Sequence, residues 1–153
     1  MTQIDLRHGG CGRACREILA TLPDWFGIEA SNLAYEADSE TLPTWLAVRE
    51  GEVLGLMILK RHEAAMENWL LAVRRDLRGH GTGRALIETA VAQTRGAGFP
   101  FLTVKTLGPS HPSEPYAETR AFYRACGFSP LEEFKTEIWG PENPCLFMVR
   151  PVG

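Results

Sequence analysis

The sequence predicts a mixed α/β fold in a single domain over residues 1–153. Apolar residues recur at helical spacing in some segments, as between Cys15 and Leu22, whereas short apolar runs such as Val53–Leu59 are typical of buried strands. Early helices precede a hairpin and then alternating strands and helices, which is the order of a mixed α/β domain. The length of 153 residues fits one domain, because domains commonly hold roughly 100–200 residues.

The first half of the chain is expected to form two helices and a strand hairpin. Pro23 ends the first helix because proline cannot continue the helical hydrogen-bond ladder. The segment Glu50–Glu52 places a glycine in a tight turn, so the strands on either side should pair antiparallel. The expected elements are a strand at 4–6, helices at 12–22 and 28–37, and strands at 44–49 and 53–60.

The second half is expected to alternate strands with helices. Gly96 and Gly98 end the helix that precedes them. Three prolines between Leu107 and Pro115 predict a loop without regular structure. The expected elements are strands at 69–73 and 101–105, helices at 82–95 and 116–125, and strands at 128–134 and 146–149.

Composition argues against several classes of protein. The chain has 16 basic and 19 acidic residues, a net charge of −3, whereas nucleic-acid binders usually show a basic excess. No apolar run approaches the roughly 20 residues that span a bilayer, and the first residues lack the apolar core of a secretory signal. We therefore expect a cytoplasmic protein without nucleic-acid or membrane partners. Four cysteines, with Cys11 and Cys15 not spaced as zinc ligands, predict neither a disulfide scaffold nor a metal site.

A glycine-rich turn, Arg78–Gly83, lies between an apolar strand and an amphipathic helix. Closely spaced glycines let the backbone turn and direct successive N–H groups at one point. The N-terminus of the helix adds further N–H donors and a partial positive charge, so the turn is suited to phosphate or pyrophosphate. Arg78 and Arg84 flank it and can add charge-assisted hydrogen bonds.

Three phosphate-binding patterns and a turn without a ligand compete for this segment. A P-loop requires Lys and then Ser or Thr after the last glycine, where this chain has Arg84-Ala85. A dinucleotide site requires glycine at position 84 and an acidic residue at the end of the next strand, where Lys105 stands. The pattern Arg/Gln-x-x-Gly-x-Gly/Ala is filled by Arg78, Gly81 and Gly83, so we favour it.

Two motifs together resemble the GNAT superfamily of N-acetyltransferases. The turn Arg78–Gly83 resembles the family's acyl-CoA pyrophosphate loop, and Thr119–Phe128 resembles its last helix, which typically reads Phe/Leu-Tyr-x-x-x-Gly-Phe. The two motifs lie about 40 residues apart, as is usual in the family, and the similarity is close over residues 44–134. The resemblance implies a mixed sheet that is splayed open and flanked by helices, with acetyl-CoA as cofactor between the two central strands.

The resemblance also implies which backbone groups hold acetyl-CoA. The strand before the turn would contact the pantetheine arm and the acetyl carbonyl, and the turn would bind the pyrophosphate. Tyr116 stands where many family members have an asparagine that touches the pantetheine. The expected contacts are Leu71, Ala72 and Val73 on the strand, and Arg78, Gly79, His80, Gly81, Thr82, Gly83 and Arg84 in the turn.

Acetyl transfer needs a base for the amine and an acid for the departing thiolate. An alkylamine with a pKa of about 10.4 costs roughly 4–5 kcal/mol to neutralise at pH 7. With the family motif, Tyr123 is the candidate acid, because tyrosine at a pKa of about 10 can protonate a thiolate whose conjugate acid lies near about 8.5. Glu67 is the candidate base and His111 its rival. His62 and His80 are expected at the surface.

The acceptor site is expected to draw on three loops. Trp25 and Trp139 could form walls for an organic amine, since cations favour the faces of tryptophan rings. Asp24 and Glu142 could attract a positively charged acceptor. The candidate acceptor residues are Asp24, Trp25, Phe26, Ser110, His111, Trp139 and Glu142.

These residues predict an acetyl-CoA-dependent N-acetyltransferase that acts on a primary amine of a small molecule or a protein. The competing hypothesis is a non-catalytic acyl-CoA-binding sensor or interaction module. Tyr123 favours catalysis, because a degenerate member is expected to lose the acid. We also expect a homodimer, the commonest form of soluble oligomer.

Overall fold

The computed structural model describes residues 2–153 and has the predicted mixed α/β class. A short 3-10 turn, Arg75–Leu77, links the fourth strand to the third helix. The elements in chain order are β1 Gln3–Arg7, α1 Gly12–Ala20, α2 Glu29–Thr41, β2 Thr44–Arg49, β3 Glu52–Arg61, β4 Ala65–Val73, α3 Thr82–Gly96, β5 Phe101–Leu107, α4 Glu114–Ala125, β6 Ser129–Phe134 and β7 Cys145–Pro151.

The strands of the described chain form one mixed sheet in the order β1-β2-β3-β4-β5-β7-β6. β1 pairs antiparallel with β2, and β2 with β3, around the predicted turn at Glu50 and Gly51. At the other end of the order, β7 lies between β5 and β6 and pairs antiparallel with both. The chain divides into two compact units, one formed by the residues through Lys60 together with Asn68–Ala92, the other by Arg61–Glu67 and Gln93–Gly153.

The core of the first unit forms on one face of α1, as the helical spacing predicts. Cys15, Ile18 and Leu19 are fully or almost fully buried. Removing this apolar surface from water is the main favourable contribution to packing the helix on the strands. Their buried partners include Leu46, Leu56, Ile58, Leu70 and Ala72.

The core of the second unit forms on β5 and β7. Val104 pairs with Met148 and Leu102 with Arg150 in the antiparallel register, and the alternation places Leu102, Val104 and Met148 in the interior. α4 is followed, two residues after its end at Ala125, by a glycine with positive φ, Gly127 at 92°. This left-handed conformation favours glycine at a helix C-terminus and lets the chain turn directly into β6.

Several predicted boundaries are wrong, and the largest errors are at the end of α2, which lies at Thr41 instead of residue 37, and at the start of β4. β4 begins at Ala65 instead of residue 69, because Glu67 and Asn68 are buried polar residues that interrupt the apolar pattern. α4 begins at Glu114 instead of 116, so the loop expected up to Pro115 ends earlier. Proline is tolerated in the first turn of a helix, where its missing N–H has no helical acceptor, and Ser113 caps this end by accepting a hydrogen bond from the Tyr116 amide at 3.4 Å.

Candidate active site

The glycine-rich turn of the first unit has the backbone geometry that a phosphate site needs. Gly79 and Gly81 both have φ of 83°, in the left-handed region that favours glycine. Apart from the glycine itself and its two chain neighbours, no residue has a heavy atom within 4 Å of the position that a Cβ would take at either site. α3 begins directly afterwards at Thr82, and the first turn of a helix presents N–H groups without intrahelical acceptors. The open space and the donors fit the pyrophosphate of an acyl-CoA.

Arg78 stacks on Trp25. Its guanidinium carbon lies 4.4 Å from the centroid of the indole ring, a cation–π distance. Across residues 2–153 the guanidinium forms no ion pair with a carboxylate. Its charge is therefore positioned by an aromatic face and not neutralised. Trp25, predicted as a wall for the acceptor, gives one face of its ring to this arginine.

The neighbouring arginines are bound to carboxylates. Arg75 lies 3.5 Å from the Asp24 carboxylate, and its backbone amide donates to the Thr21 hydroxyl at 3.2 Å. Arg74 pairs with Glu52 and, at 3.0 Å, with Asp76. Asp24, expected to attract a cationic acceptor, is thus partly neutralised by Arg75. These contacts fix the segment after α1 against the turn that precedes α3.

The other residues predicted in the first unit have different environments. Phe26 packs edge-on against Tyr35, with ring centroids 6.0 Å apart, and belongs to the periphery of the core. His80 is exposed and Thr82 is buried. On β4, Ala72 is buried and its flanking residues are half-buried, so the strand expected to contact pantetheine is largely inside the protein. The residues in this strand segment are Leu71, Ala72 and Val73.

Tyr123 lies in the second unit, on the last turn of α4. It is 6% exposed, and its ring lies 5.4 Å from that of Phe122 and 5.5 Å from that of Phe128. The Phe128 amide donates to the Tyr123 carbonyl at 3.0 Å. The aromatic contacts fix the ring plane and thereby the direction in which the hydroxyl points.

Glu67 is the centre of a polar cluster in the second unit. It is only 2% exposed, although the sequence places it at the start of a strand, where a solvated carboxylate is expected. Its Oε1 lies 2.7 Å from Nε2 of His62, and its Oε2 lies 3.2 Å from Nζ of Lys105. Two cationic or proton-bearing partners explain how a carboxylate can be buried here, since an unpaired one would be costly.

Sequence reasoning missed the role of His62 in this cluster. The expectation of a surface residue is correct as far as exposure goes, because 49% of the side chain is accessible. The contact with Glu67 forms because the turn between β3 and β4 brings the two residues together. The apolar pattern predicts a start of β4 at residue 69 and therefore does not predict this turn. Lys105, a charged residue on a strand that is otherwise mostly buried, is the signal that could have indicated a buried anion nearby.

The second unit also brings three predicted acceptor residues to one open cleft of about 240 Å³. Nδ1 of His111 is buried and has no hydrogen-bond partner among the described residues. Trp139 is 40% exposed and does not line the cleft. The lining residues are Ser110, His111, Pro112, Lys135, Thr136, Pro141, Glu142 and Pro144.

Ser110 is committed to a contact that the sequence did not suggest. Its hydroxyl donates to Glu133 at 2.6 Å and its backbone amide donates to the same carboxylate at 2.9 Å. These two hydrogen bonds, the hydroxyl first, hold the pKa of Glu133 below its usual value. Ser110 therefore anchors the loop that carries His111 to β6.

No helix within residues 2–153 is both long and apolar enough to cross a membrane. Within the same range, no three or more His, Cys, Asp or Glu side chains are grouped so that they could hold a metal ion.

Comparison with known proteins identifies a family. The family model of the acetyltransferase (GNAT) domain matches residues 40–130. This range contains both motifs noted in the sequence. A comparison with curated protein sequences found no match.

Solved structures share the fold over the whole chain. A Desulfovibrio desulfuricans protein described as a GNAT-family acetyltransferase has a TM-score of 0.86 at 16% identity, covering 100% of both chains. The ribosomal-protein-S18-alanine N-acetyltransferase of Escherichia coli has a TM-score of 0.79 at 17% identity, covering 100% of this chain and 95% of its own. A GNAT-family acetyltransferase of Elizabethkingia anophelis, solved with acetyl-CoA bound, has a TM-score of 0.73 at 15% identity and covers 98% and 97%. At these identities the likeness shows the fold alone.

Proposed function

The chain belongs to the GNAT acetyltransferase family, and on that basis we propose that it transfers the acetyl group of acetyl-CoA to a primary amine of a small molecule or a protein. The observation that carries the proposal is the turn at Gly79 and Gly81. Two glycines with positive φ leave open space directly before a helix N-terminus, inside the region that matches the family. This is the arrangement that backbone amides need to approach a pyrophosphate.

The residues that would hold the cofactor lie in the first unit. The amides from Gly79 to Arg84 would bind the pyrophosphate, and Arg78 would add a charge that Trp25 positions. Backbone groups of Leu71–Val73 would hold the pantetheine arm. Acetyl-CoA, when bound, supplies a thioester whose carbonyl carbon an amine can attack.

The acid and the base of the reaction are proposed in the second unit. Tyr123 donates a proton to the departing thiolate, and its packing between Phe122 and Phe128 keeps the hydroxyl in one orientation. The cluster around Glu67 receives the proton that the acceptor ammonium must lose before its nitrogen can attack. His111 is the alternative base, because its buried Nδ1 has no partner within the described residues.

The competing hypothesis is an acyl-CoA-binding module without catalysis. The two hypotheses share the cofactor site and differ in turnover. A thiol-release assay with acetyl-CoA and a panel of amines separates them. The panel holds polyamines, amino acids, aminoglycosides and peptides, including alanine peptides because the E. coli relative is named for an alanine of a ribosomal protein.

We expect amine-dependent release of CoA and an acetylated amine that mass spectrometry identifies. Hydrolysis of acetyl-CoA without an amine serves as the background. Tight binding of acetyl-CoA with no acetylated product for any member of the panel would favour the binding module. A chain that binds neither acetyl-CoA nor CoA would contradict both hypotheses.

A further inference from the structure

A general base needs negative charge to stabilise the proton it takes and access to the acceptor. Glu67 provides the charge, and His62 provides the access. The Glu67 carboxylate carries the negative charge but is buried, with its side chain 3% exposed. Oε1 contacts His62, and Nζ of Lys105 lies 3.2 Å from Oε2 and 3.4 Å from Oε1. An acceptor could therefore reach the carboxylate only by displacing a partner. The His62 side chain is 49% exposed. An acceptor from solvent therefore has access to the imidazole and not to the carboxylate.

We infer that His62 is the group that takes the proton from the acceptor ammonium, and that Glu67 is a positioning residue that holds its imidazole. The inference rests on the proposed function, whose base it specifies. It changes the role of Glu67 from direct base to the partner that fixes the ring.

The hydrogen bond determines which nitrogen of His62 is basic. A carboxylate only accepts, so the neutral imidazole carries its proton on Nε2, which donates to Glu67 Oε1 across 2.7 Å. Nδ1 then holds the free lone pair. When Nδ1 takes a second proton, the adjacent carboxylate stabilises the imidazolium, as an aspartate does for the histidine of a hydrolase triad.

The reaction begins with proton transfer to His62. Nδ1 accepts a proton from the ammonium and leaves a neutral amine. The amine nitrogen attacks the acetyl carbonyl carbon, the C–N bond forms, and the C–S bond breaks with its electron pair leaving on sulfur. Tyr123 protonates the thiolate, and the new amide nitrogen loses its second proton to solvent. The Tyr123 phenolate then regains a proton from solvent, and the imidazolium releases its proton to solvent through its exposed side.

The charged and titratable groups around the pair are compatible with this role. Lys105 on β5 pairs with Glu67, and the Cys145 thiol on β7 lies close enough to respond to both charges. Burial raises the pKa of Cys145 to about 11, with Lys105 lowering it and Glu67 raising it, so the thiol is neutral at physiological pH. At the end of β3, Arg61 lies over the Phe99 ring at 5.2 Å, and Glu63 in the following turn is exposed.

The test compares His62→Gln with His8→Gln, which removes another exposed imidazole, one at the end of β1 and outside the proposed site. We expect His62→Gln to lower kcat/KM at pH 7 by about 10²-fold or more, as for loss of a general base, with the affinity for acetyl-CoA unchanged. The low-pH fall of kcat/KM, where a protonated imidazole cannot accept a proton, should disappear in this variant. His8→Gln should match the wild type.

Chemical rescue and a spectroscopic measurement test the role of His62 without relying on His62→Gln alone. His62→Ala should regain activity on addition of imidazole, because the site is open to solvent. Long-range ¹⁵N–¹H spectra should show the Nε2–H tautomer of His62 in the wild type. The tautomer is measured without any acceptor.

Wild-type kcat/KM and pH profile in His62→Gln would overturn the inference while leaving the proposed function intact. The same is true if His111→Gln, and not His62→Gln, removes the low-pH fall. An Nδ1–H tautomer in the wild type would also overturn it. A wild-type enzyme that binds acetyl-CoA but acetylates no amine would overturn the inference together with the proposed function.

Discussion

The Trp25 side chain positions the positive charge of Arg78. Its ring lies 4.4 Å below the Arg78 guanidinium, which is thereby held near the turn that would bind the pyrophosphate. An exposed cation–π contact is worth about 0.5–1 kcal/mol. Without the Trp25 ring, the Arg78 side chain would have to be ordered when acetyl-CoA binds. That ordering would cancel a similar amount of the free energy that the arginine contributes to binding.

We expect Trp25→Leu to weaken the affinity for acetyl-CoA by about two- to fivefold, since 1.4 kcal/mol corresponds to tenfold in Kd. The measurement is isothermal titration calorimetry, repeated with Arg78→Ala present. In that background Trp25→Leu should have no further effect. Phe99→Leu, which removes a similar ring from Arg61 in the second unit, is the matched control. Equal losses with and without Arg78 would show that Trp25 acts only through packing.

The Tyr123 hydroxyl is the proposed proton donor to the thiolate. Tyr123→Phe keeps the ring and its contacts with Phe122 and Phe128 but removes the proton donor. General acid catalysis typically contributes about 10²–10⁴-fold, so we expect kcat to fall by that order. The affinity for acetyl-CoA should not change, and any fall of kcat at high pH caused by tyrosine ionisation should disappear. Tyr35→Phe, a hydroxyl deletion in α2, is the control; full kcat in Tyr123→Phe would exclude the acid role.

The stability of α4 depends on the residues at its N-terminus. Ser113 accepts a hydrogen bond from the Tyr116 amide, and Pro115 supplies a φ that suits the first turn. We expect Ser113→Ala to lower the free energy of unfolding by about 0.5–1 kcal/mol, the lower part of the range for a lost N-cap because the 3.4 Å bond is long. Urea denaturation measures it, and Ser129→Ala at an exposed position of β6 is the control. A loss as large in the control would remove the capping explanation.

The elements also show what the sequence could predict. The helical face from Cys15 to Leu22 and the hairpin around Gly51 were predictable, because period and turn chemistry are local. The start of β4 was not, since the burial of Glu67 depends on partners from β5 and from the preceding turn. The turn at Gly79 and Gly81 was predictable from local order alone. The contact of Arg78 with Trp25 was not, because it joins residues more than fifty positions apart.

For the molecule as a whole, two of the buried thiols, Cys15 in one unit and Cys145 in the other, link stability to alkaline pH. Burial raises the pKa of Cys15 from 9.0 to about 11, and that of Cys145 likewise. The folded state therefore holds each proton more tightly than the unfolded state. The stabilisation is fully present below pH 9 and is lost as pH rises through about 11.

We expect the free energy of unfolding to fall between pH 9 and pH 11 by up to about 3 kcal/mol for each thiol, since one pKa unit is worth about 1.4 kcal/mol. Urea denaturation across this range measures the fall. Cys15→Ala should show a shallower slope than the wild type, which isolates this thiol from the lysines and tyrosines that titrate in the same range. Parallel slopes for the two proteins would contradict the assignment.

The turn before α3 is proposed as the cofactor site. The sharpest test of this proposal is the affinity of two glycine variants for acetyl-CoA. Gly81 has φ of 83° and Gly51, in the β2–β3 turn, has φ of 79°, and at neither site does a residue other than the chain neighbours have a heavy atom within 4 Å of the Cβ position. Alanine should therefore impose a similar backbone strain of about 1–2 kcal/mol at either site. We expect calorimetry to show acetyl-CoA binding weakened at least tenfold in Gly81→Ala and unchanged in Gly51→Ala. Equal affinity in folded Gly81→Ala and the wild type would contradict the cofactor site.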